Sequence, residues 1–256
     1  MSHQENLIRE QFKKQAKGFA DNSLTMNNQS YIKWMLDGLI MSSEINALDV
    51  AAGTGILSRA ISPFVDNVTS MDLSEDMINE GDRINKSLGL TNIRYVRGNV
   101  ENMPFQENQF EIVISRFAFH HFNNPRKVLK EMSRVSHKII AVIDMISPDD
   151  NYLSEQYNHY EKLRDPSHTK ALKQSELLSL FSDLNIQTYS IETLDVPVSV
   201  IKWMELTKTN EHDASYIKDQ INEELDTGKQ LTGLFPFISN DHLMFKQTWM
   251  KVYGIL

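Results

Sequence analysis

Short apolar runs that alternate with helix-like segments place the strongest constraint on how this sequence folds. Helical spacing of apolar side chains follows most of these runs. Alternating strands and helices are typical of a parallel sheet that carries helices on both faces. Strands buried on both faces are apolar throughout. The sequence therefore predicts five parallel strands, at residues 45–51, 65–71, 93–96, 110–115 and 138–145.

The alternation of strand-like and helix-like segments changes after residue 147. Helical spacing covers residues 151–183 and 199–225, and strand-like patterns return at residues 186–196 and 242–253. Two further helices are predicted in the first forty residues. These elements predict an α/β fold with a doubly wound, mostly parallel, seven-stranded sheet, N-terminal helices and a helical cap insertion.

No repeat, low-complexity tract or Pro/Gly-rich linker divides the chain. We therefore expect residues 1–256 to form a single domain with three parts. Residues 1–43 would be a helical lid, residues 44–146 the ligand-binding core, and residues 147–256 the cap and the final strands.

Composition excludes several kinds of chemistry. The sequence has no Cys, so it has no thiolate nucleophile, no disulfide and no Cys-ligated metal, and we expect no metal site. The net charge of −8 at pH 7 argues against a nucleic-acid partner, because such proteins usually carry a basic surface. The longest apolar run, at residues 139–146, is too short to span a bilayer. With a polar N-terminal segment, these features predict a cytoplasmic protein.

A glycine-containing bend follows the first predicted strand. The segment LDVAAGTG places Ala51, Gly53 and Gly55 between that strand and the next helix. In a doubly wound sheet this bend lies at the edge where ligands bind, and glycines let the backbone approach a nucleotide closely. A tight turn without a ligand is the alternative interpretation of this segment.

An acidic residue ends the second predicted strand. Asp72 is placed to accept hydrogen bonds from both hydroxyls of a ribose. A role at the N-terminus of the next helix is the alternative, but Glu75 and Asp76 already serve that end.

Dinucleotide-binding enzymes share these two features, and their fingerprint is G-x-G-x-x-G. Here Ser58 stands at the position of the third glycine, which disfavours a nicotinamide cofactor. After the third strand, Asn99 is suited to hydrogen-bond the edge of an adenine and Val100 to pack on its ring.

Four segments in order resemble a class I S-adenosylmethionine-dependent methyltransferase. They are LDVAAGTG, MDLSEDM, GNVENMPF and SRFAFHHFNNPRKVLKEMSRV, and the last resembles the ubiquinone/menaquinone-biosynthesis-type branch. The later segment LRDPSHT resembles bacterial members of the same branch.

The resemblance implies a cofactor site for S-adenosylmethionine, with S-adenosylhomocysteine as its product. The residues implied at the methionyl end are Asp49, Ala51, Gly53, Thr54 and Gly55. Those implied at the ribose and adenosine are Asp72, Leu73 and Met77, and those at the adenine are Asn99, Val100 and Glu101. Ser115 and Arg116 would flank the sulfonium. Ala51 departs from the commoner Gly, and Asn99 from the commoner Asp.

Three residues are candidates for catalysis. His120 and His121 follow the fourth strand, and a histidine titrates near neutral pH, so either is a candidate general base. Asp144 interrupts the fifth strand, where a carboxylate is costly unless it is paired. The alternative is that one histidine packs structurally on the loop and the other faces solvent.

Further residues are candidates for the acceptor pocket. Arg164, His168 and Trp203 belong to the predicted cap, and a salt-bridged turn or ordinary core packing is their alternative. Phe12 and Phe19 lie on the first amphipathic helix, which suits a lid that excludes water, and plain packing of this helix against the sheet is the alternative.

These features together predict methyl transfer from S-adenosylmethionine to the carbon, oxygen or nitrogen of a small organic acceptor. A nicotinamide-dependent oxidoreductase and a catalytically silent cofactor-binding protein are the alternatives. Fold-level analogy does not identify the acceptor.

Overall fold

A computed structural model describes residues 3–19 and 27–256, with the side chains of residues 4–11 and 13 in the first of these segments. The chain forms an eight-stranded sheet in the order β3-β2-β1-β4-β5-β8-β6, and β7 pairs with β8 outside this path. The strands are β1 (Asn46–Val50), β2 (Asn67–Asp72), β3 (Ile93–Arg97), β4 (Phe110–Arg116), β5 (Ser136–Ile146), β6 (Gln187–Ser199), β7 (Pro236–Ser239) and β8 (His242–Ile255).

Nine α-helices lie within the described part of the chain. They are α1 (His3–Phe19), α2 (Gln29–Leu36), α3 (Ile56–Ile61), α4 (Glu75–Ser87), α5 (Pro125–Val135), α6 (Asn151–Arg164), α7 (Gln174–Asp183), α8 (Val200–Thr207) and α9 (Glu211–Thr227). Ser74 caps the N-terminus of helix α4, and its hydroxyl accepts a hydrogen bond from the Met77 amide. None of the helices described is long and apolar enough to cross a membrane.

Strands β1 to β5 pair in parallel, as predicted, and β8 is antiparallel to both β5 and β6. Alternate residues of the central strands enter different core clusters, such as Ala47 and Leu48 of β1 or Ile112 and Val113 of β4. This division places apolar cores on both faces of the sheet, which explains why the strands are apolar throughout.

The prediction of seven strands was wrong by one. Strand β7 turns into β8 through Asn240 and Asp241, which both have positive φ angles, and Ser239 pairs with His242. A two-residue turn with two positive φ angles is the type I′ hairpin turn, for which Asn and Asp are suitable residues. The predicted final strand is thus one arm of a hairpin. The Asn-Asp pair is the sequence signal for the hairpin turn, and the sequence-based prediction did not use it.

Strand β8 also holds the N-terminal helix α2 against the sheet. The ammonium group of Lys251 is fully buried and donates hydrogen bonds to the carbonyl oxygens of Trp34 (2.9 Å) and Asp37 (2.8 Å). These carbonyls lie at the C-terminal end of α2, where the helix dipole favours a cation. The hydroxyl of Tyr253 donates to the carbonyl of Met35 in the same helix.

Close packing of Tyr95 against two glycines positions helix α4 beside the bend after β1. The Tyr95 hydroxyl donates to the Thr54 carbonyl oxygen at 3.0 Å, and Gly81 of α4 and Gly55 leave room for this ring. A Cβ at Gly81 would overlap the Tyr95 hydroxyl and lie 2.7 Å from the Thr54 carbonyl oxygen.

We therefore predict that Gly81→Ala destabilises the protein, although alanine favours an isolated helix by about 1 kcal/mol. Overpacking against the Thr54 backbone should outweigh that gain, with a net loss of about 1–3 kcal/mol. Urea denaturation measures the free energy of unfolding. As a control, the double variant Tyr95→Ala with Gly81→Ala is compared with Tyr95→Ala alone. The alanine Cβ should cost less there, because its overlap with the Tyr95 ring is gone and only the Thr54 carbonyl oxygen remains close. A single variant as stable as the wild type would contradict this packing.

Candidate functional site

A cavity of about 410 Å³ opens at the carboxyl edge of β1, β2, β3 and β4. Twelve of the residues predicted for the site line it: Asp49, Ala51, Gly53, Thr54, Asp72, Leu73, Met77, Asn99, Val100, Glu101, Arg116 and His121. Ten further lining residues were not predicted from the sequence: Gln4, Glu5, Ile8, Ala52, Ile56, Leu57, Phe117, Ala118, Phe122 and Asn123. Strand ends that lie far apart in the sequence therefore meet around one space.

The bend after β1 follows a left-handed path at three positions. Ala51, Gly53 and Gly55 have φ angles of 55°, 56° and 77°. A Cβ at Gly53 would meet nothing within 4 Å, so the absence of a side chain there leaves room inside the cavity. Ala51 adopts the conformation that glycine adopts without strain, so its replacement of the commoner Gly carries a conformational cost.

Asp72 ties the bend to the end of β2. Its Oδ2 accepts a hydrogen bond from the Gly53 amide at 2.8 Å, and its Oδ1 accepts one from the Ser74 amide at 2.8 Å. Burial raises the pKa of Asp72, against the opposing effect of these hydrogen bonds. One carboxylate thus positions both loops while its half-buried side chain lines the cavity.

Asp49 lies deeper, beneath the bend. Its Oδ2 accepts a hydrogen bond from the Ser58 hydroxyl at 2.6 Å, and that hydroxyl accepts one from Ser70 at 2.6 Å. Burial raises the pKa of Asp49 to about 6. Ser58, the residue at the missing third glycine of the dinucleotide fingerprint, is therefore part of a buried hydrogen-bond chain.

Two predicted cofactor residues do not line the cavity. Gly55 packs on the Tyr95 ring behind the bend, and Ser115 is fully buried with its hydroxyl bonded to the Val50 carbonyl oxygen at 3.0 Å. Both residues support the loop that faces the cavity. A short-range motif does not distinguish a residue that lines a loop from one that supports it.

The loop after β3 is organised by Asn99. Its Oδ1 accepts a hydrogen bond from the Glu101 amide at 2.8 Å, and its Nδ2 donates to Glu5 of α1 at 2.7 Å. Glu101 also pairs with Lys127 of α5 at 3.1 Å. The amide side chain therefore links the sheet edge to the N-terminal helix.

Helix α1 reaches the opposite wall of the cavity through Gln4. The Nε2 of Gln4 donates to the carbonyl oxygens of Ser167 (2.7 Å) and His121 (3.2 Å) and to the Thr169 hydroxyl (3.0 Å). Gln4, Glu5 and Ile8 all line the cavity. The predicted side-chain roles of Phe12 and Phe19 fall outside the described residues.

The two histidines after β4 have different surroundings. His120 Nδ1 bonds Asp144 Oδ1 at 2.6 Å, and the His120 amide donates to Asp144 Oδ2 at 3.1 Å. Burial lowers the pKa of His120, but the charge and hydrogen bond of Asp144 outweigh it, so this pKa is raised. Neither His120 nor Asp144 lines the cavity.

His121 does line the cavity. Its Nδ1 lies 3.0 Å from the Ser167 carbonyl oxygen, so Nδ1 carries the proton and donates. Burial and the neighbouring His120 lower the pKa of His121 to about 4. At neutral pH this imidazole is uncharged.

The predicted acceptor residues of the cap do not reach the cavity. Arg164 is buried and pairs with the buried Glu161 at 2.8 Å, and its guanidinium lies over the Trp203 ring. His168 is fully buried, and its Nε2 bonds Asn158 Oδ1 at 2.8 Å. These contacts correct the pocket-lining prediction for all three residues. In the sequence, Glu161 indicated this ion pair, because it stands one helical turn before Arg164 and provides its counter-charge.

No group of His, Asp or Glu side chains in residues 3–19 and 27–256 is arranged to hold a metal ion.

Comparisons with known proteins agree with this geometry. Residues 48–138 match the family model described as a methyltransferase domain. The uncharacterized methyltransferase YcgJ of Bacillus subtilis is 27% identical over 85% of this chain and 87% of that protein. Its crystal structure superposes with a TM-score of 0.80 at 26% identity, covering 89% of this chain and 98% of that one.

Two other relatives match over shorter stretches. The uncharacterized protein YafE of Escherichia coli is 30% identical over 57% of this chain and 72% of that protein. The demethylmenaquinone methyltransferase of Geobacillus stearothermophilus is 33% identical over 41% of this chain, which spans only 48% of that enzyme.

The buried His121 gives a prediction on acid stability. An unfolded chain takes up this proton near pH 6.5, whereas the folded chain takes it up near pH 4. The stabilisation is therefore complete above pH 6.5 and is lost as the pH falls toward 4. In His121→Asn, the free energy of unfolding should fall less steeply over this range, by up to about 1.4 kcal/mol per pH unit.

Urea titrations at several pH values measure this slope. His212→Asn is the control, because His212 is exposed on α9, with 92% of its side-chain surface accessible. Equal slopes for His121→Asn and the wild type would show that His121 protonates alike in both states.

Proposed function

We propose a function from the premise that this chain belongs to the S-adenosylmethionine-dependent methyltransferase family. Its cavity holds the methyl donor against β1, β2 and β3, and a small organic acceptor binds beside Phe117. The single observation that carries this arrangement is Asp72, which joins the bend after β1 to the end of β2 and faces the cavity.

The residues present suit the cofactor. Gly53 leaves open space inside the bend, and the buried Thr54 hydroxyl has no hydrogen-bond partner among the described residues. Carboxylates of Glu5, Asp49, Asp72 and Glu101 line the cavity. A cavity rich in carboxylates favours a ligand that carries positive charge, as the sulfonium and ammonium groups of S-adenosylmethionine do.

Each part of the donor has suitable neighbours. Asp72 is the ribose acceptor, because each carboxylate oxygen has lone pairs beyond the amide bond that it already accepts. Leu73, Met77 and Val100 supply apolar surface for the adenine. Asn99 stands at the edge of this surface, with its amide held by Glu5 and Glu101.

When bound, the sulfonium supplies the electrophilic methyl group, so the chain does not need to generate one. The contribution of the protein is to align the acceptor with the methyl group and to exclude water. Proximity and orientation of this kind lower a barrier by about 7–11 kcal/mol in favourable cases. Helix α1 and the loop at 165–169, joined by Gln4, enclose the reacting space.

His121 rather than His120 is the candidate proton acceptor. Because Nδ1 of His121 donates to Ser167, its Nε2 carries the lone pair. The low pKa, about 4, makes it a weak base that suits an acidic hydroxyl or enol better than an amine. His120, bonded to Asp144 at 2.6 Å, is a positioning residue that packs against the His121 ring.

The acceptor side of the cavity is apolar. Phe117, Ala118 and Phe122 line it, which favours a small organic molecule with apolar or aromatic surface. The net charge of −8 and the acidic cavity argue against nucleic acid as the acceptor. A small metabolite as acceptor also accords with the predicted cytoplasmic location.

The cofactor site is tested with Asp72→Ala. Loss of the carboxylate removes the proposed ribose acceptor and releases the Gly53 amide, so the Kd for S-adenosylhomocysteine should rise by at least about tenfold. Isothermal titration calorimetry measures this Kd. Asp66→Ala is the control, because Asp66 is exposed at the opposite end of β2 and should leave the Kd unchanged.

An unchanged Kd in Asp72→Ala would place the cofactor elsewhere. Titration of the wild type with NAD should show no binding, which separates this proposal from an oxidoreductase. Release of a labelled methyl group to a small acceptor separates an active enzyme from a catalytically silent binding protein.

The lid is tested by releasing α1 from both walls of the cavity. The combination Gln4→Ala and Glu5→Ala removes the contacts to Ser167 and Asn99. Stopped-flow measurements should then show S-adenosylhomocysteine dissociating several times faster, because the helix no longer bridges the opening. Lys13→Ala, an exposed position on α1, is the control. Identical dissociation rates in the double variant and the wild type would show that α1 does not gate the cavity.

A further inference from the structure

Negatively charged side chains outnumber positively charged ones around the cavity. Four carboxylates line it, from Glu5, Asp49, Asp72 and Glu101, and Arg116 is the sole Lys or Arg among the described residues that do so. The carboxylates account for binding a cationic donor, but a guanidinium beside a sulfonium adds repulsion between like charges. The presence of Arg116 therefore needs a different explanation from the one that its sequence position suggested.

Arg116 forms no salt bridge in the part of the chain that the structure describes. Its Nη1 is shielded from solvent and has no hydrogen-bond partner there. Asp49 acts on it through space, without forming a salt bridge. The guanidinium carbon lies over the Phe117 ring, 5.1 Å from its centroid.

Other enclosed arginines in the structure are bonded. Arg59 donates to the Thr54 carbonyl oxygen at 2.6 Å, Arg134 donates to Phe105 and Glu131 at 2.8 Å, and Arg164 pairs with Glu161 at 2.8 Å. Burial lowers the pKa of Arg116 to about 10, so the side chain keeps its charge at neutral pH. A charge enclosed without hydrogen bonds is costly, and a bound anion would offset that cost.

The backbone beneath Arg116 is strained. Phe117 has a φ angle of 51°, which is rare for a bulky residue, and its amide donates to the Ile143 carbonyl oxygen at 2.8 Å. The Phe117 ring also packs on Trp249, with centroids 4.8 Å apart. This conformation holds the ring between the guanidinium and the core. Strain of this kind is typical of functional sites.

We propose that Arg116 is the anion-binding residue of the cavity and that it pairs with a carboxylate or similar oxyanion of a bound ligand. The inference rests on the proposed function, since it takes the cavity as the substrate site. Two ligands can supply the anion. One is the cofactor, through the carboxylate of its methionyl group, and the other is an acceptor that is itself an anion.

Binding measurements with two matched ligand pairs distinguish these sources. S-adenosylhomocysteine and 5′-methylthioadenosine share the adenosine and the thioether, but only the first carries the amino-acid group. Benzoate and benzyl alcohol have the same ring, but only benzoate carries a negative charge. The proteins are the wild type, Arg116→Gln, Arg116→Lys and the control Arg126→Gln, whose side chain is 58% exposed at the start of α5.

If the cofactor supplies the anion, Arg116→Gln should raise the Kd for S-adenosylhomocysteine about tenfold or more and leave that for 5′-methylthioadenosine unchanged. If the acceptor supplies it, the Kd for S-adenosylhomocysteine should stay the same. The wild type loaded with S-adenosylhomocysteine should then prefer benzoate to benzyl alcohol in NMR titrations, and Arg116→Gln should lose that preference. In either case Arg116→Lys should retain part of the effect, and Arg126→Gln should behave as the wild type does.

The inference is overturned if Arg116→Gln is folded, shown by an unchanged circular dichroism spectrum, and discriminates within both ligand pairs as the wild type does. Failure of the proposed function gives a different result, because the wild type would then bind neither S-adenosylhomocysteine nor 5′-methylthioadenosine.

Discussion

The hydrogen bonds of the Asp72 carboxylate are the interaction on which the site depends. Parallel strands end at a common edge of the sheet, but contacts between their loops must fix the loop positions before they can enclose a ligand. Asp72 accepts one amide from the bend after β1 and one from the start of α4, each at 2.8 Å. The left-handed φ angles at Ala51 and Gly53 bring the first of these amides within reach. The carboxylate that positions the loops also faces the cavity.

Charge is distributed around the cavity in a way that suits its proposed ligands. Four carboxylates and the guanidinium of Arg116 line the cavity, and the guanidinium lies over the Phe117 ring. By contrast, the buried Glu161 and Arg164 of the cap form an ion pair with each other. A buried charge that is already paired has its cost of desolvation offset within the protein, whereas a charge without a partner is a candidate for binding.

The fold was largely predictable from the sequence, and the candidate site only partly so. Five parallel strands were found because apolar runs bounded by turn residues are a local signal. The short strand β7 was missed because its pattern is brief and half-buried, and its turn at Asn240 and Asp241 was overlooked. In the site, local motifs identified the loops, but Gly55 and Ser115 proved to support the loop from behind.

The sequence by itself determined the order of strands and helices and the loops that carry Asp49, Gly53, Asp72 and Asn99, because each depends on neighbours a few residues away. Only the tertiary structure decided which side chains share a surface. Glu5 contacts Asn99 across 94 positions of the chain, and His121, not His120, faces the cavity. Such contacts depend on how elements pack in three dimensions. The periodicity of apolar residues along the chain indicates which face of an element is buried, but not which distant residues it contacts.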